Sequence, residues 1–246
     1  MKVLEYIAIV FFDFIDKFFH QKRIIFTLKK NISQLDNFID VGAHKGTYTD
    51  LILNNFKPKK ILMFEPQDRI FNYLKKKYSE NEIIFLFNAA LSNKSDSVNF
   101  YLNKHNLTSS LSNLDQNNSY LKLKAKLFGT TSEGMIVDTR TIQTETLFSV
   151  LEKENLGIVD LLKIDTEGHE LQVLQGMKQR IKTVKYILIE FHNDEIYVSY
   201  DPKNLHEFLI SNNFKLIKRF KFPFTTWEDR LYVNDYSNWF YLLYIS

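Results

Sequence analysis

Between Asp36 and Phe191, short apolar runs alternate with segments of helical spacing, and this alternation restricts the chain to a narrow group of folds. The apolar runs are Asn37–Val41, Lys60–Phe64, Glu82–Phe87, Val159–Ile164 and the β-branched Val184–Phe191. Helical patterns occupy Gly46–Asn55, Asp68–Tyr78, Phe148–Glu154, about His169–Ile181 and Asn204–Asn212. In the first of these, Tyr48, Leu51 and Ile52 form the apolar face. Repeated strand–helix units imply a mostly parallel sheet with helices packed on it. Val98–Leu102 alternates like an extra edge strand, and Phe214–Phe220 and Trp239–Ile245 read as the last two strands. No Pro- or Gly-rich linker divides the pattern, so one α/β domain is expected over residues 35–246, preceded by a helical extension over residues 1–34.

Composition narrows the function classes. A chain of 246 residues can bury a substantial core. The net charge of +3 is too small to indicate nucleic acid, and no basic stripe with interleaved aromatics stands out, so no nucleic-acid partner is expected. The absence of cysteine excludes disulfides and thiolate metal sites, and fits a cytoplasmic protein. The 22 Phe and 13 Tyr accompany many Lys, Asn and Ile, a pattern closer to coding bias than to an aromatic cage. Only seven glycines are present, and Gly42, Gly46, Gly168 and Gly176 fall in two short segments, where backbone needs are the expected reason.

In the extension, Leu4, Ile7, Phe11, Phe14 and Phe18 recur at helical spacing. The longest stretch without a charge there, Tyr6–Phe12, has seven residues, far short of the ~20 that span a bilayer. It also lacks the pattern of a secretion signal. The expectation is packing against the domain or a second copy in a homodimer. Peripheral membrane contact through His20, Lys22, Arg23, Lys29 and Lys30 is the alternative. Residues 103–139 are rich in Asn, Ser, Thr and Lys, with one helical stretch near Ser119–Phe128, and read as a lid over an acceptor.

Leu161–Gly176 locates the site. An apolar run leads into Asp165-Thr-Glu-Gly-His-Glu170, four ionisable groups within six residues. At the C-terminal end of a strand in an open α/β sheet, such a cluster is expected to meet a ligand. Asp40-Val-Gly-Ala-His-Lys-Gly46 closes the first strand and opens the first helix, whose N-terminus offers free N–H donors. Its Gly-x-x-x-Gly spacing differs from the Gly-x-Gly-x-x-Gly of dinucleotide binders. Asp40 suits a cationic amino-acid group rather than a phosphate. Glu65, in Phe64-Glu-Pro66 and nineteen residues after Gly46, can accept two ribose hydroxyls. An acid for an ammonium, a glycine turn and an acid for a ribose describe S-adenosylmethionine better than NAD.

These two motifs, Asn88-Ala-Ala-Leu-Ser92, Ser109-Ser110-Leu111 and Lys163-Ile-Asp-Thr-Glu-Gly-His-Glu170 occur in one order, and in this the chain resembles the FkbM family of S-adenosylmethionine-dependent methyltransferases. The resemblance runs from about Phe38 to Ile245. It implies the class I methyltransferase (Rossmann-like) fold, a seven-stranded sheet with one antiparallel strand near the end. It also implies O-methylation, commonly of a sugar hydroxyl in a glycan, a polysaccharide or a secondary metabolite. By position, Asp40, Gly42, Ala43 and Gly46 would hold the methionine part, Glu65 the ribose, and Asn88 and Ala90 the adenine edge. The chain departs from the family at Thr146-Leu147-Phe148-Ser149, where Leu-Asp is usual, and at His44, where Asn is more common.

Methyl transfer to an alcohol asks the protein for alignment and for removal of the hydroxyl proton. Asp165 is expected to position the acceptor hydroxyl or, on the cofactor side, to line the methyl path, and His169 or Glu167 to take the proton. Glu170 is read as favouring the helix start electrostatically. Glu190 and His192 at the end of the fifth strand add a polar pair that, with Asp165, could ligate a divalent cation. The pair is read instead as orienting substrate, His192 among the catalytic residues, with no metal expected. The rival classes are a dinucleotide oxidoreductase and a non-catalytic module that binds a glycan or partner. His105, Ser109, Ser110, Lys122 and Arg140 are the expected selectors of the acceptor.

Overall fold

The computed structural model describes residues 20–103, 109–127, 129–223 and 225–235. The elements are α1 (Gln21–Asn31), β1 (Asn37–Val41), α2 (Thr47–Asn55), β2 (Lys60–Phe64), α3 (Asp68–Lys77), β3 (Ile84–Phe87), β4 (Ala90–Leu91) and β5 (Ser97–Asn103). They continue as α4 (Ser119–Leu127), β6 (Ile136–Glu145), α5 (Leu147–Lys153), β7 (Val159–Ile164), α6 (Glu170–Gln175), β8 (Val184–His192), α7 (Pro202–Ser211), β9 (Phe214–Lys221) and β10 (Trp227–Asn234).

Seven strands form one sheet in the order β3-β2-β1-β7-β8-β10-β9. The pairs from β3 to β8 are parallel, and β10 runs antiparallel to both β8 and β9. All six residues of β7 are buried, as a strand covered on both faces requires. Alternation splits the core into two layers. Phe38, Ile61, Met63, Leu161 and Leu188 pack with α1–α3 through Ile24, Leu28, Ile52 and Leu74. Ile39, Leu62, Phe64, Leu162 and Ile187 pack with α5–α7 through Leu151, Val173, Leu174 and Leu205. The order reverses between β1 and β7, and there the crevice at the strand ends opens.

Three strands differ from the sequence expectation, the shortest being the two-residue β4. The antiparallel strand is Trp227–Asn234, whose charges hide it; Trp239–Ile245 lies outside the described residues. Its Glu228 and Asp229 are buried but paired, Glu228 with Arg219 and Arg230, and Asp229 with His20 at 2.7 Å and Tyr48 at 3.1 Å. The second addition is β6, which pairs antiparallel with β5 and parallel with β4 in a small three-stranded sheet. His20, grouped in the sequence with the basic residues of the extension, is buried at the start of α1 against Asp229. Residues 1–19, with Leu4 through Phe18, lie outside the described residues. No helix among the described residues is long and apolar enough to cross a membrane.

Candidate functional site

The turn after β1 is held against β2, because the Gly42 and Ala43 N–H groups both donate to the Phe64 carbonyl at 3.1 and 3.0 Å. Gly42 and Gly46 have φ of 77° and 76°, the left-handed region. A β-carbon on Gly42 would strike the Asp165 carbonyl, and one on Gly46 the Tyr78 hydroxyl. The glycines thus permit close chain approach, and Gly46 stands outside the cleft lining. Asp40 is wholly buried yet lines the cleft; its Oδ2 accepts the Thr49 hydroxyl at 2.8 Å. Its Oδ1 has no hydrogen-bond partner. Burial raises the Asp40 pKa, against the pull of Lys163 and Thr49.

Glu65 follows β2. Its Oε2 accepts the His44 N–H and its Oε1 the Gln67 N–H, both at 2.9 Å. Burial pushes its pKa up to about 7, with the two N–H donors opposing. Ala89, Ala90 and Leu91 line the cleft nearby. Asn88, expected at the adenine edge, is instead exposed and donates to Asp68 at 2.7 Å; it is absent from the cleft lining.

At the end of β7, alternation puts Lys163 and Asp165 on one face, 2.9 Å apart. Lys163 is buried, pairs in register with Asp40 across β1, and lies over the Tyr48 ring at 4.5 Å. Burial works against its charge, but Asp165 and Asp40 outweigh it and hold the ammonium protonated. Burial likewise opposes the Asp165 charge, and Lys163 outweighs it, so this pKa is lowered.

The following turn is fixed from three sides. Glu170 Oε1 accepts the N–H groups of Thr166 at 2.9 Å and Gly168 at 3.1 Å. The Ser110 hydroxyl faces the carbonyls of Thr166 (3.0 Å) and Glu167 (2.6 Å), and the Ser112 hydroxyl donates to that of Gly168 at 2.7 Å. Tyr197 packs where a β-carbon on Gly168 would stand, and its hydroxyl donates to Glu167 Oε2. Glu167 itself has φ of 55°, a conformation costing about 1–2 kcal/mol for an L-residue. Burial lifts its pKa to about 7, with His192 opposing.

His169 meets Ser92 Oγ at 3.0 Å, and burial lowers its pKa to about 4, which keeps the ring neutral. Glu190 and His192, at the end of β8, are buried behind Glu167, with Nε2 and Oε2 3.1 Å apart. Tyr197 and Tyr200 present their rings edge-on to His192 at 4.9 and 5.5 Å. Burial lowers the affinity of His192 for its proton, but Glu190 and Glu167 more than reverse this, to about 10. His192, expected among the catalytic residues, does not line the cleft.

One cleft thus gathers Asp40, Gly42, Ala43, Glu65, Ala90, Asp165, Glu167 and His169, and leaves Gly46, Asn88 and His192 outside its lining. Sequence reasoning missed Lys163 and Tyr197. Lys163 was visible, since a lysine two residues before Asp165 in a buried strand must face the same way. Tyr197 gives no local signal. Of the expected acceptor selectors, Ser109 and Ser110 line the cleft, Arg140 pairs with Asp138 in β6, and His105 lies outside the described residues.

The strand order, the single antiparallel strand and the acid-bearing glycine turn define the class I methyltransferase fold. Residues 40–216 match the Methyltransferase FkbM domain. The chain belongs to this family, whose cofactor is S-adenosylmethionine. It is 32% identical over 69 residues to the hexuronic acid methyltransferase AglP of Haloferax volcanii, a stretch covering 28% of this chain and 27% of that protein. The crystal structure of a methyltransferase FkbM from Methylobacillus flagellatus KT is similar at a TM-score of 0.53 and 14% identity, over 81% of this chain and 43% of that one. An uncharacterized protein of Listeria monocytogenes serotype 4b aligns at a TM-score of 0.50 and 10% identity, over 86% of this chain and 67% of that one. The chain therefore spans about a quarter of the curated relative and less than half of the first structural one.

Proposed function

We propose that this chain transfers the methyl group of S-adenosylmethionine to a sugar hydroxyl of a small molecule or glycan. One observation carries the reading. The cleft has an acid pair, Asp40 and Glu65, on the β1–β2 side, and a second pair, Asp165 and Glu167, at the end of β7. The buried Asp40 Oδ1 without a partner fits an ammonium group, and Glu65 retains lone pairs for a ribose diol after taking its two N–H donors. Ala90 lines the place where the adenine edge is expected, and Ala43 and Gly42 border the methionine part with backbone. The AglP relative, named for a hexuronic acid substrate, supports a sugar as acceptor.

The sulfonium supplies an already activated methyl group. What remains for the chain is to align a hydroxyl and accept its proton. Asp165 is held ionised by Lys163 and can orient the hydroxyl as an acceptor of its hydrogen bond. Glu167 lines the same cleft with a pKa of about 7, matched to proton transfer near neutrality. His169, with a pKa of about 4, is the weaker base of the two.

The test is methyl transfer from labelled S-adenosylmethionine to uronic-acid and neutral-sugar acceptors, beside thermal stabilisation by S-adenosylhomocysteine and by NAD. Label in a sugar ether with stabilisation by S-adenosylhomocysteine is the expected result. Stabilisation by NAD alone would return the chain to the oxidoreductases. Cofactor binding without transfer to any hydroxyl would make it a binding module.

A further inference from the structure

Behind Glu167, the ends of β7 and β8 bring together more buried acid than the chain's own cations balance. Among the described residues, Asp165, Glu167, Glu170 and Glu190 face Lys163, His192 and, on the Glu167 side, Lys124, and Lys163 is already engaged by Asp165. Three atoms of this patch have no hydrogen-bond partner: Glu190 Oε2, His192 Nε2 and Glu170 Oε2. Glu190 and His192 are 8% and 4% exposed, and Glu170 is not exposed at all. Polar atoms without a hydrogen-bond partner on side chains so deeply buried are costly, and a cation that displaces the His192 proton would engage them.

The geometry identifies the ligand. One donor atom each from Glu167, Glu190 and His192 lie within 4.8 Å of one another. His192 Nε2 and Glu190 Oε2 stand 3.1 Å apart without the alignment of a hydrogen bond. Neighbouring ligands of an octahedral ion bound at about 2.1 Å are about 3.0 Å apart, so this pair already has the spacing of two coordination positions. We propose that Glu167, Glu190 and His192 bind one divalent transition-metal ion, of the Mn²⁺ class, beside the methyl-transfer cleft. One imidazole with two carboxylates suits Mn²⁺ better than the all-oxygen preference of Mg²⁺ or Ca²⁺.

The site deepens the function proposed above and rests on it for its purpose. Glu167 belongs to both the triad and the cleft lining, so it joins the ion to the cleft, while Glu190 and His192 stand outside the lining and hold the ion from the far side. A hydroxyl ligated to a divalent cation loses its proton more readily, and a second hydroxyl on the adjacent sugar carbon can complete a chelate. The acceptor class this selects is a sugar presenting a vicinal diol.

The experiment titrates the full chain with MnCl₂ alone, without acceptor, and reads bound Mn²⁺ by electron paramagnetic resonance. One ion per chain is expected, with affinity falling more than about tenfold in His192→Ala and in Glu190→Gln. It should be unchanged in Asp138→Asn, which removes a surface carboxylate. Stabilisation of each variant by S-adenosylhomocysteine reports that the cofactor half of the site is folded. No saturable binding at millimolar Mn²⁺ in the unaltered chain would overturn the proposal, as would equal binding by folded His192→Ala and Glu190→Gln. Either result leaves methyl transfer itself standing, because transfer and cofactor binding are measured separately.

Discussion

The Asp165 carbonyl occupies the space a β-carbon on Gly42 would need. The turn after β1 and the turn after β7 therefore touch through backbone, and the Asp165 N–H donates to the Val41 carbonyl at 3.0 Å in the same place. The acid of the cofactor side and the acid of the acceptor side are fixed relative to one another by two chain crossings, with no long side chain between them. In-line transfer depends on such fixed separation.

Gly42→Ala follows from that contact. The residue has φ of 77° and no room for a methyl group, so the two turns must part. A loss of about 3 kcal/mol or more of stability is expected, since strain and overpacking each cost about 1–3 kcal/mol. Denaturant unfolding measures it, and stabilisation by S-adenosylhomocysteine should be lost as well.

Asp40→Asn separates binding from folding. The carboxylate is fully buried with one oxygen unpartnered; the amide keeps the Thr49 hydrogen bond, and Lys163 keeps Asp165 as its ion-pair partner when the Asp40 charge is lost. Stability should change by less than about 1 kcal/mol. Affinity for S-adenosylmethionine, measured calorimetrically, should fall more than about tenfold, because a buried ammonium loses its counter-charge.

Glu65 links folding to pH. Its pKa rises from 4.5 to about 7 on folding, so the folded chain holds this proton more tightly than the unfolded chain. The contribution is fully present below pH 4.5 and is lost as pH rises through 7, a span corresponding to about 3 kcal/mol. Glu65→Gln should flatten the fall of unfolding free energy over this window in the cofactor-free protein. An unchanged slope would place the titration elsewhere.

Legibility in the sequence followed burial. The central strands β1, β2, β7 and β8 are covered on both faces and so read as apolar runs. β10 escaped because Glu228, Asp229 and Arg230 sit at its start, and only a folded chain shows that their partners include Arg219 and His20. β6 escaped for the opposite reason: most of its residues are exposed, so no hydrophobic period marks it. In the site, Asp40, Glu65, Asp165 and Glu167 were readable because strand ends in such a sheet face one crevice. Tyr197 was not, since its link to Glu167 crosses thirty residues of chain.

Ser110→Ala tests the strap over the acceptor turn. Its hydroxyl faces two carbonyls of the 165–168 turn and accepts the Ser112 N–H at 2.9 Å. Removing it leaves these buried groups short of a partner, at a cost of about 1–3 kcal/mol. The turn carries Glu167 but not the cofactor acids. The expected signature is a lower kcat with affinity for S-adenosylhomocysteine retained.

The identity of the proton acceptor reduces to a contrast between Glu167 and His169. Both line the cleft, but burial moves them in opposite directions, to about 7 for the carboxyl and about 4 for the imidazole. If Glu167 governs the proton, kcat/KM of the protein kept free of divalent metal should rise with pH through about 7 and level off above it, because only the ionised carboxylate accepts. Tyr197→Phe removes a donor to that carboxylate and should move the midpoint upward. His169→Ala should keep the limb in place, whereas Glu167→Gln should remove it together with most of the rate. A limb centred near 4 that disappears in His169→Ala would transfer the role to the histidine.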